Sequence, residues 1–298
     1  MNILVTGGTG LIGSEFIRQH QKKHSFTVVS RNRDKAQALL GGDIDILDSV
    51  SKIEDMSAFD AVINLAGEPI ADKRWTDTQK RIICESRWSA TAEIVAKIND
   101  CKTPPKVFIS GSAIGFYGNQ LDKQVTEDTQ PNDEFTHQLC SKWESIANGV
   151  DNSVTRVVLL RTGVVLTDKG GALGKMALPF KLGVGGKLGH GNQYLSWIHL
   201  QDMVDAIAFL LENEACNGAF NLTAPGPVTN SEFSNQLASA LNRPCLFTVP
   251  SFVMKIAMGE SSTMILEGQQ VIPQKLTTAG FEFTYPSLTV ALAEIYQG

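Results

Sequence analysis

The 298-residue sequence predicts an α/β protein, a doubly wound parallel sheet followed by a smaller C-terminal α/β part. Three observations predict it. Short apolar runs such as Ile3-Leu4-Val5 lack polar alternation, as strands covered on both faces do. Amphipathic helical stretches separate them, which is the alternation of a parallel sheet with crossover helices. A glycine-rich turn, Thr6-Gly-Gly-Thr-Gly-Leu-Ile-Gly13, joins the first such run to the first helix.

The elements follow in order. Gly7, Gly10 and Gly13 are spaced so that the first makes a tight turn, the second admits a pyrophosphate to the backbone, and the third lets helix and strand pack closely. The helix from Leu11 to about Gln21 buries Leu11, Ile12, Phe16 and Ile17, and its first amides face the phosphates. Phe26 to Ser30 is the second strand. At its end, where an acid would bind the 2′-hydroxyl of NAD, stand Ser30, Arg31, Asn32 and Arg33, a set suited to the extra phosphate of NADP(H). The competing reading gives that place to Asp34 and leaves the arginines as surface charge.

A third strand is expected over 43–47, a short amphipathic helix around Ser51 to Met56, and a fourth strand over Ala61 to Asn64. The turn Leu65-Ala66-Gly67 is small enough for a ribose or pyrophosphate to lie against it. A long helix from Asp77 to Ile98 follows, with Trp75 and Trp88 as packing residues. Lys106 to Ser110 is the fifth strand and delivers Ser110 and Ser112 to the same sheet edge, either toward a substrate hydroxyl or onto local backbone groups. Phe135 to Ala147 is a helix, and Val157 to Leu160 is a strand ending in Arg161-Thr162-Gly163. Residues 168–191, rich in Gly and Lys, are expected to form a mobile excursion over the ligand. Ser196 to His199 is expected to return to the sheet, before a helix over Met203 to Leu211. The cap is expected to hold strands near Phe220 to Leu222 and Leu246 to Val249, and helices near Ser231 to Leu241 and Pro250 to Met258. Met254, Met258 and Met264 are expected to fill its core rather than line a ligand surface. The division is therefore 1–165 with 196–214 for the nucleotide domain, and 166–195 with 215–298 for the cap.

A net charge of −5 argues against nucleic acid or an anionic membrane as the main partner and favours a small molecule. Five scattered cysteines with no C-x-x-C pair indicate neither a disulfide framework nor a zinc site, and no metal is expected. With neither a signal-peptide pattern nor an apolar run of membrane-spanning length, the expected location is a reducing cytoplasm.

The ordered strings Thr6 to Gly13, Asn64-Leu-Ala-Gly-Glu-Pro69, Ser110-Gly-Ser-Ala113, Leu160-Arg-Thr-Gly163 and Ser196-Trp-Ile-His199 resemble the extended short-chain dehydrogenase/reductases. With Ile63 to Trp75 and Phe135-Thr-His-Gln-Leu-Cys-Ser-Lys-Trp-Glu144 added, the chain resembles the bacterial YfcH-type epimerase family over essentially its whole length. The segment from Gly259 to Pro273 resembles that group's C-terminal domain. The resemblance implies a Rossmann-type NADP(H)-binding domain, a C-terminal substrate domain, nucleotide-sugar epimerases and dehydratases as broader relatives, and homodimerisation through the helices 77–98 and 135–147. Cofactor contacts are expected from Gly7, Thr9, Gly10, Leu11, Ile12, Gly13, Ser30, Arg31, Arg33, Leu65, Ala66, Gly67, Ser110, Arg161 and Gly163.

Ser112 matches the catalytic serine of that superfamily, whose members generally pair it with a tyrosine and a lysine four residues on. Here Tyr117, Tyr194 and Tyr285 are followed at that distance by Leu121, Ile198 and Thr289, and Tyr296 stands two residues before the last. His137 is the preferred replacement, since imidazole titrates near neutrality, with Cys140 and Tyr117 behind it. Lys142 is the candidate for holding the nicotinamide ribose. Three readings follow: an epimerase or oxidoreductase, an NADP(H)-binding module that signals to a protein partner, or a homologue that has lost its cofactor.

Overall fold

The computed structural model describes residues 1–41 and 44–297. Its elements, in chain order, are β1 (Asn2–Thr6), α1 (Leu11–His20), β2 (Ser25–Val29), α2 (Arg33–Leu40), β3 (Asp45–Leu47), β4 (Ala61–Asn64), α3 (Asp77–Asp100), β5 (Val107–Ala113), β6 (Gln124–Val125), α4 (Phe135–Ala147), β7 (Arg156–Thr162) and β8 (Val164–Leu166). There follow α5 (Gly171–Lys181), β9 (Gly186–Leu188), β10 (Tyr194–Leu195), β11 (Trp197–His199), α6 (Leu200–Glu212), β12 (Gly218–Leu222), β13 (Val228–Thr229) and α7 (Asn230–Ala240). The chain ends with β14 (Phe247–Val249), α8 (Ser251–Met258), α9 (Thr263–Leu266), β15 (Gln270–Val271), α10 (Gln274–Thr278) and α11 (Leu288–Gln297).

Seven parallel strands form the central sheet in the order β12-β7-β5-β4-β1-β2-β3. Strand β1 lies between β2 and β4, so the chain reverses its winding direction beside the glycine turn, where α/β sheets open a ligand crevice. The strand's three apolar residues divide between two cores. Ile3 and Val5 pack with α1 and α6 through Phe16, Ile17, Met203 and Ile207. Leu4 packs on the other face with Ile94 and Ile98 of α3 and Ala147 of α4. All three are fully buried, which accounts for the absence of alternation in their sequence. A third core joins Leu173, Ala177 and Phe180 of α5 to Leu237 of α7 and Leu292 of α11, with Trp197 among them.

Several expectations change. The third strand begins at Asp45, and Asp43 lies outside the described residues. In place of a helix over 51–56 there are two single 3-10 turns, because Ser49 and Asp55 each accept a bond from the amide two residues on and close a separate turn. The fifth strand continues to Ala113, since β7 supplies partners for Gly111, Ser112 and Ala113. Residues 168–191 are not a loop excursion. Leu173, Ala177 and Phe180 give α5 one buried face, and Gly185 and Gly186 admit close packing, a Cβ at Gly186 falling 2.0 Å from the Phe247 carbonyl oxygen. Trp197–His199 pairs with β8 in a separate two-stranded sheet rather than rejoining the main one. Phe220–Leu222, expected in the cap, belongs to β12, the edge strand of the main sheet. Met254, Met258 and Met264 lie outside the buried clusters, and Met264 is 38% exposed on the cleft described next.

Candidate active site

The glycine turn is built as its spacing requires. Gly7 has φ +71°, and a Cβ there would lie 2.6 Å from the Leu65 carbonyl, so the turns after β1 and β4 touch through bare backbone. A Cβ at Gly13 would lie 2.5 Å from the Gly7 carbonyl oxygen, which closes the first turn of α1 onto the loop. Gly10 caps α1 and donates to Gly7 O at 2.9 Å. The first amides of α1 have no carbonyl within the helix to bind, and the exposed cradle fits the diphosphate of a dinucleotide.

At the end of β2 the Ser30 hydroxyl donates to Asn32 O at 3.3 Å, while Arg31 and Arg33 are exposed. Neither guanidinium has an acceptor among the described residues. Asp34 lies in the first turn of α2, beyond the strand end.

A cleft of about 370 Å³ opens along the carboxyl ends of β4, β5 and β7, between the main sheet and the cap. Ile12, Leu65, Ser112 and Gly163 of the expected site residues line it. Ser112 comes from the extended end of β5 and is buried. Its hydroxyl donates to Glu144 Oε1 at 2.6 Å. Glu144, on α4, is clamped by Arg161 of β7 through Nε at 2.9 Å and Nη2 at 2.8 Å, a bidentate pair with both partners buried. Arg161 Nη1 donates to the Tyr117 hydroxyl at 3.0 Å, and that hydroxyl donates to Asn221 Oδ1 at 2.6 Å. The Asn221 amide in turn donates to Ile272 O, so the network runs from the cleft floor through β12 to the C-terminal segment.

Arg161, expected to touch cofactor, is therefore committed inside the protein. Besides Glu144 and Tyr117 it binds Glu127 O, and its guanidinium lies 3.5 Å from the Phe116 ring centroid. Ser110 is fully buried, with its hydroxyl on Gly111 O, and does not reach the cleft either. His137 is not a cleft-lining residue. Its Nδ1 sits 2.6 Å from Phe116 O and its ring packs against Phe116. Exposed Lys142 rests 4.1 Å over the Trp88 ring, away from Ser112. Tyr117 is shut in beneath the cleft, and burial pushes its phenol up to about 12. Cys140 does line the cleft, but burial first, then the neighbouring Glu144, pushes its thiol up to about 12 and keeps it protonated at neutral pH.

Two features at or beneath the cleft are not marked in the sequence. Glu144 lies four residues beyond Cys140, one helical turn along the same face, and a charge in that apolar stripe was the available signal. Arg87 lines the cleft from α3, where nothing in the local pattern separates it from surface charge.

Residues 3–223 match the NAD dependent epimerase/dehydratase family, and residues 249–295 match a domain of unknown function, DUF1731. An epimerase family protein of Staphylococcus aureus is 37% identical over 295 residues, covering 98% of both chains. The epimerase family protein YfhF of Bacillus subtilis is 38% identical over 299 residues, covering 99% of this chain and 98% of that one. Among solved structures, the human epimerase family protein SDR39U1 with NADPH superposes over 100% of both chains, with a TM-score of 0.91 and 34% identity. A nucleoside-diphosphate sugar epimerase from Corynebacterium glutamicum matches 99% of this chain and 58% of its own, with a TM-score of 0.79 and 25% identity. No helix among the described residues is long and apolar enough to cross a membrane.

Proposed function

The chain belongs to the NAD dependent epimerase/dehydratase family, and on that premise we propose that it is an NADP(H)-dependent epimerase or oxidoreductase acting on a hydroxyl- or carbonyl-bearing small molecule. The observation that carries this reading is the 2.6 Å Ser112–Glu144 hydrogen bond on the floor of a cleft that begins beside the glycine turn. NADP(H) is supported by the NADPH bound to the human relative and by the free Arg31 and Arg33 at the end of β2. Ser30, Arg31 and Arg33 would hold the 2′-phosphate, the amides from Thr9 to Gly13 would hold the diphosphate, and Leu65, Ala66 and Gly67 would border the ribose. When bound, the cofactor supplies the hydride donor or acceptor.

The chain's own residues handle the proton. Ser112 donates its single hydroxyl proton in the hydrogen bond to Glu144, which leaves its oxygen lone pairs to accept, and Ser112 lines the cleft. A substrate hydroxyl donates to that oxygen. As it is oxidised, its proton passes to Ser112 while the Ser112 proton passes to Glu144, and reduction runs the transfers backward. Arg161 keeps Glu144 in place without reaching the substrate. Glu144 thus takes the role first given to His137. The substrate class suggested by the neighbour's name is a nucleotide sugar. Homodimerisation through α3 and α4, and residence in the cytoplasm, complete the proposal.

The absence of a lysine four residues after any tyrosine favours a second reading, an NADP(H)-binding module that senses cofactor state and reports it to a protein partner. One experiment tests the oxidoreductase form of the first reading and its site. Protein given NADPH deuterated at the transferable position and a small-molecule extract should pass deuterium to a metabolite, and Ser112→Ala should abolish the transfer. NADPH binding with no transfer removes the oxidoreductase and leaves an epimerase that returns hydride to the same molecule, or the sensor. Transfer unaffected by Ser112→Ala removes the proposed site.

A further inference from the structure

We propose that Arg87 is an oxyanion-binding residue of the cleft, its Nε–Nη2 edge receiving a phosphate or carboxylate group of a bound molecule. The residue stands out against the other two arginines held inside the protein. Arg156 donates to the carbonyls of Leu210, Leu211 and Cys216. Arg161 is saturated by Glu144, Tyr117 and the Glu127 carbonyl. Arg87, half-buried and lining the cleft, donates only from Nη1, to Ile83 O at 3.0 Å and the Ser86 hydroxyl at 3.4 Å. Its Nε and Nη2 have no acceptor among the described residues, and no carboxylate forms an ion pair with it.

The guanidinium is nevertheless fixed in place. Its Cζ lies 5.4 Å from the Trp143 ring centroid, and that ring is pinned by Nε1 donating to the Thr91 hydroxyl at 2.8 Å. The same hydroxyl donates to the Arg87 carbonyl at 2.7 Å. On the other side a Cβ at Gly67 would come within 2.9 Å of Cζ, so the absence of a side chain there is what leaves room for the guanidinium. Gly67 directly follows Leu65 and Ala66, whose backbone touches Gly7, while the Trp143 ring would meet a Cβ at Gly111, next to Ser112, at 2.8 Å. Arg87 therefore stands between the glycine turn and the Ser112 wall. Burial holds its pKa below the ordinary arginine value, and the nearest carboxylate influence, that of Glu68, acts at a distance without forming an ion pair. A two-oxygen anion seated on the free edge supplies the compensation with bidentate geometry.

The anion can come from the cofactor's diphosphate or from an acidic substrate, and the test has an arm for each. The inference rests on reading the cleft as the cofactor and substrate site, so NADPH binding by the unaltered protein is measured first. Its failure would count against that reading. Phenylglyoxal labelling of guanidinium groups, mapped by peptide mass spectrometry, then reports on Arg87 in the unaltered protein alone, with saturating NADPH, and with NADPH plus inorganic pyrophosphate. Arg87 is expected to be reactive in the free protein. Protection by NADPH, with an NADPH Kd raised about tenfold in Arg87→Gln and less in Arg87→Lys, assigns the cofactor's diphosphate. Protection in the unaltered protein only when pyrophosphate is added, with NADPH affinity unchanged in Arg87→Gln, assigns the substrate's acid group. An Arg87 unreactive in the free protein, or labelled equally in all three states, would overturn the inference with no variant needed.

Discussion

The glycine turn and the Ser112 floor are neighbours in space but opposites in construction. Eight consecutive residues make the turn, and its function is written in backbone conformation, a positive φ at Gly7 and two positions, Gly7 and Gly13, where a Cβ would fall within 3 Å of neighbouring backbone. The floor is assembled from β5, α4, β7 and β12, and its function is written in buried charge, with Ser112, Glu144, Arg161, Tyr117 and Asn221 spread over more than a hundred residues of sequence. A local device tolerates no added atom. A distributed one tolerates no missing partner.

That contrast can be broken first at its most expensive point. Replacing Glu144 by Ala leaves Arg161 buried without its anion, and we expect a loss of about 3–5 kcal/mol in urea unfolding. Replacing both residues by apolar side chains of similar volume should restore much of that loss. A single Glu144→Ala that unfolds within 1 kcal/mol of the parent, on the order of a surface substitution, would show that the pair is not desolvated. The turn should fail differently. Gly13→Ala must displace the Gly7 carbonyl, and NADPH binding should weaken by at least about tenfold, with a smaller loss of fold stability than at Glu144. Gly41→Ala is the control, since Gly41 has φ +84° but no other described residue within 4 Å of a Cβ, and it should leave NADPH affinity unchanged.

Smaller effects sharpen the comparison at the rim. The double substitution Arg31→Ala and Arg33→Ala should cost NADPH about tenfold in affinity and leave NADH unchanged, as read by fluorescence titration; equal losses for both cofactors would move the 2′-phosphate elsewhere. The smallest effect is at Glu15, which binds Arg18, Gln19 and Lys169 beside the turn. The Arg18 hydrogen bond is the main reason its carboxyl is lowered to about 2. A folded-state pKa below the unfolded value stabilises the protein above the unfolded pKa and is lost as pH falls through the folded one. Stability should therefore decline by about 1–2 kcal/mol between pH 4.5 and 2, after allowing for the exposed cations, and Glu15→Gln should remove that decline.

Local chemistry explains what was legible in the sequence. The strand–turn–helix at the N-terminus, the helix Phe135–Ala147 and the parallel sheet all follow from residues adjacent in the chain or from periodicity. The errors arose where partners are distant. Nothing near Ser112 states that β7 extends β5 to reach it, and nothing near Phe220 states that β12 closes the main sheet. His137 has the intrinsic chemistry of an acid–base group, but its Nδ1 lies against the Phe116 carbonyl oxygen, while Glu144, two turns further along the same helix, accepts from Ser112. Glycines in 183–186 read as flexibility, whereas two of them permit contact with Phe180 and Phe247.

The most direct test of the Ser112–Glu144 proton path is deuterium transfer from labelled NADPH by Glu144→Gln, an uncharged isostere that still offers Ser112 a hydrogen bond. NADPH affinity should stay within about twofold of the parent while the rate of transfer falls at least about a hundredfold. Transfer at the parental rate by a folded, NADPH-saturated Glu144→Gln protein would contradict the account and reduce Glu144 to a support for Arg161.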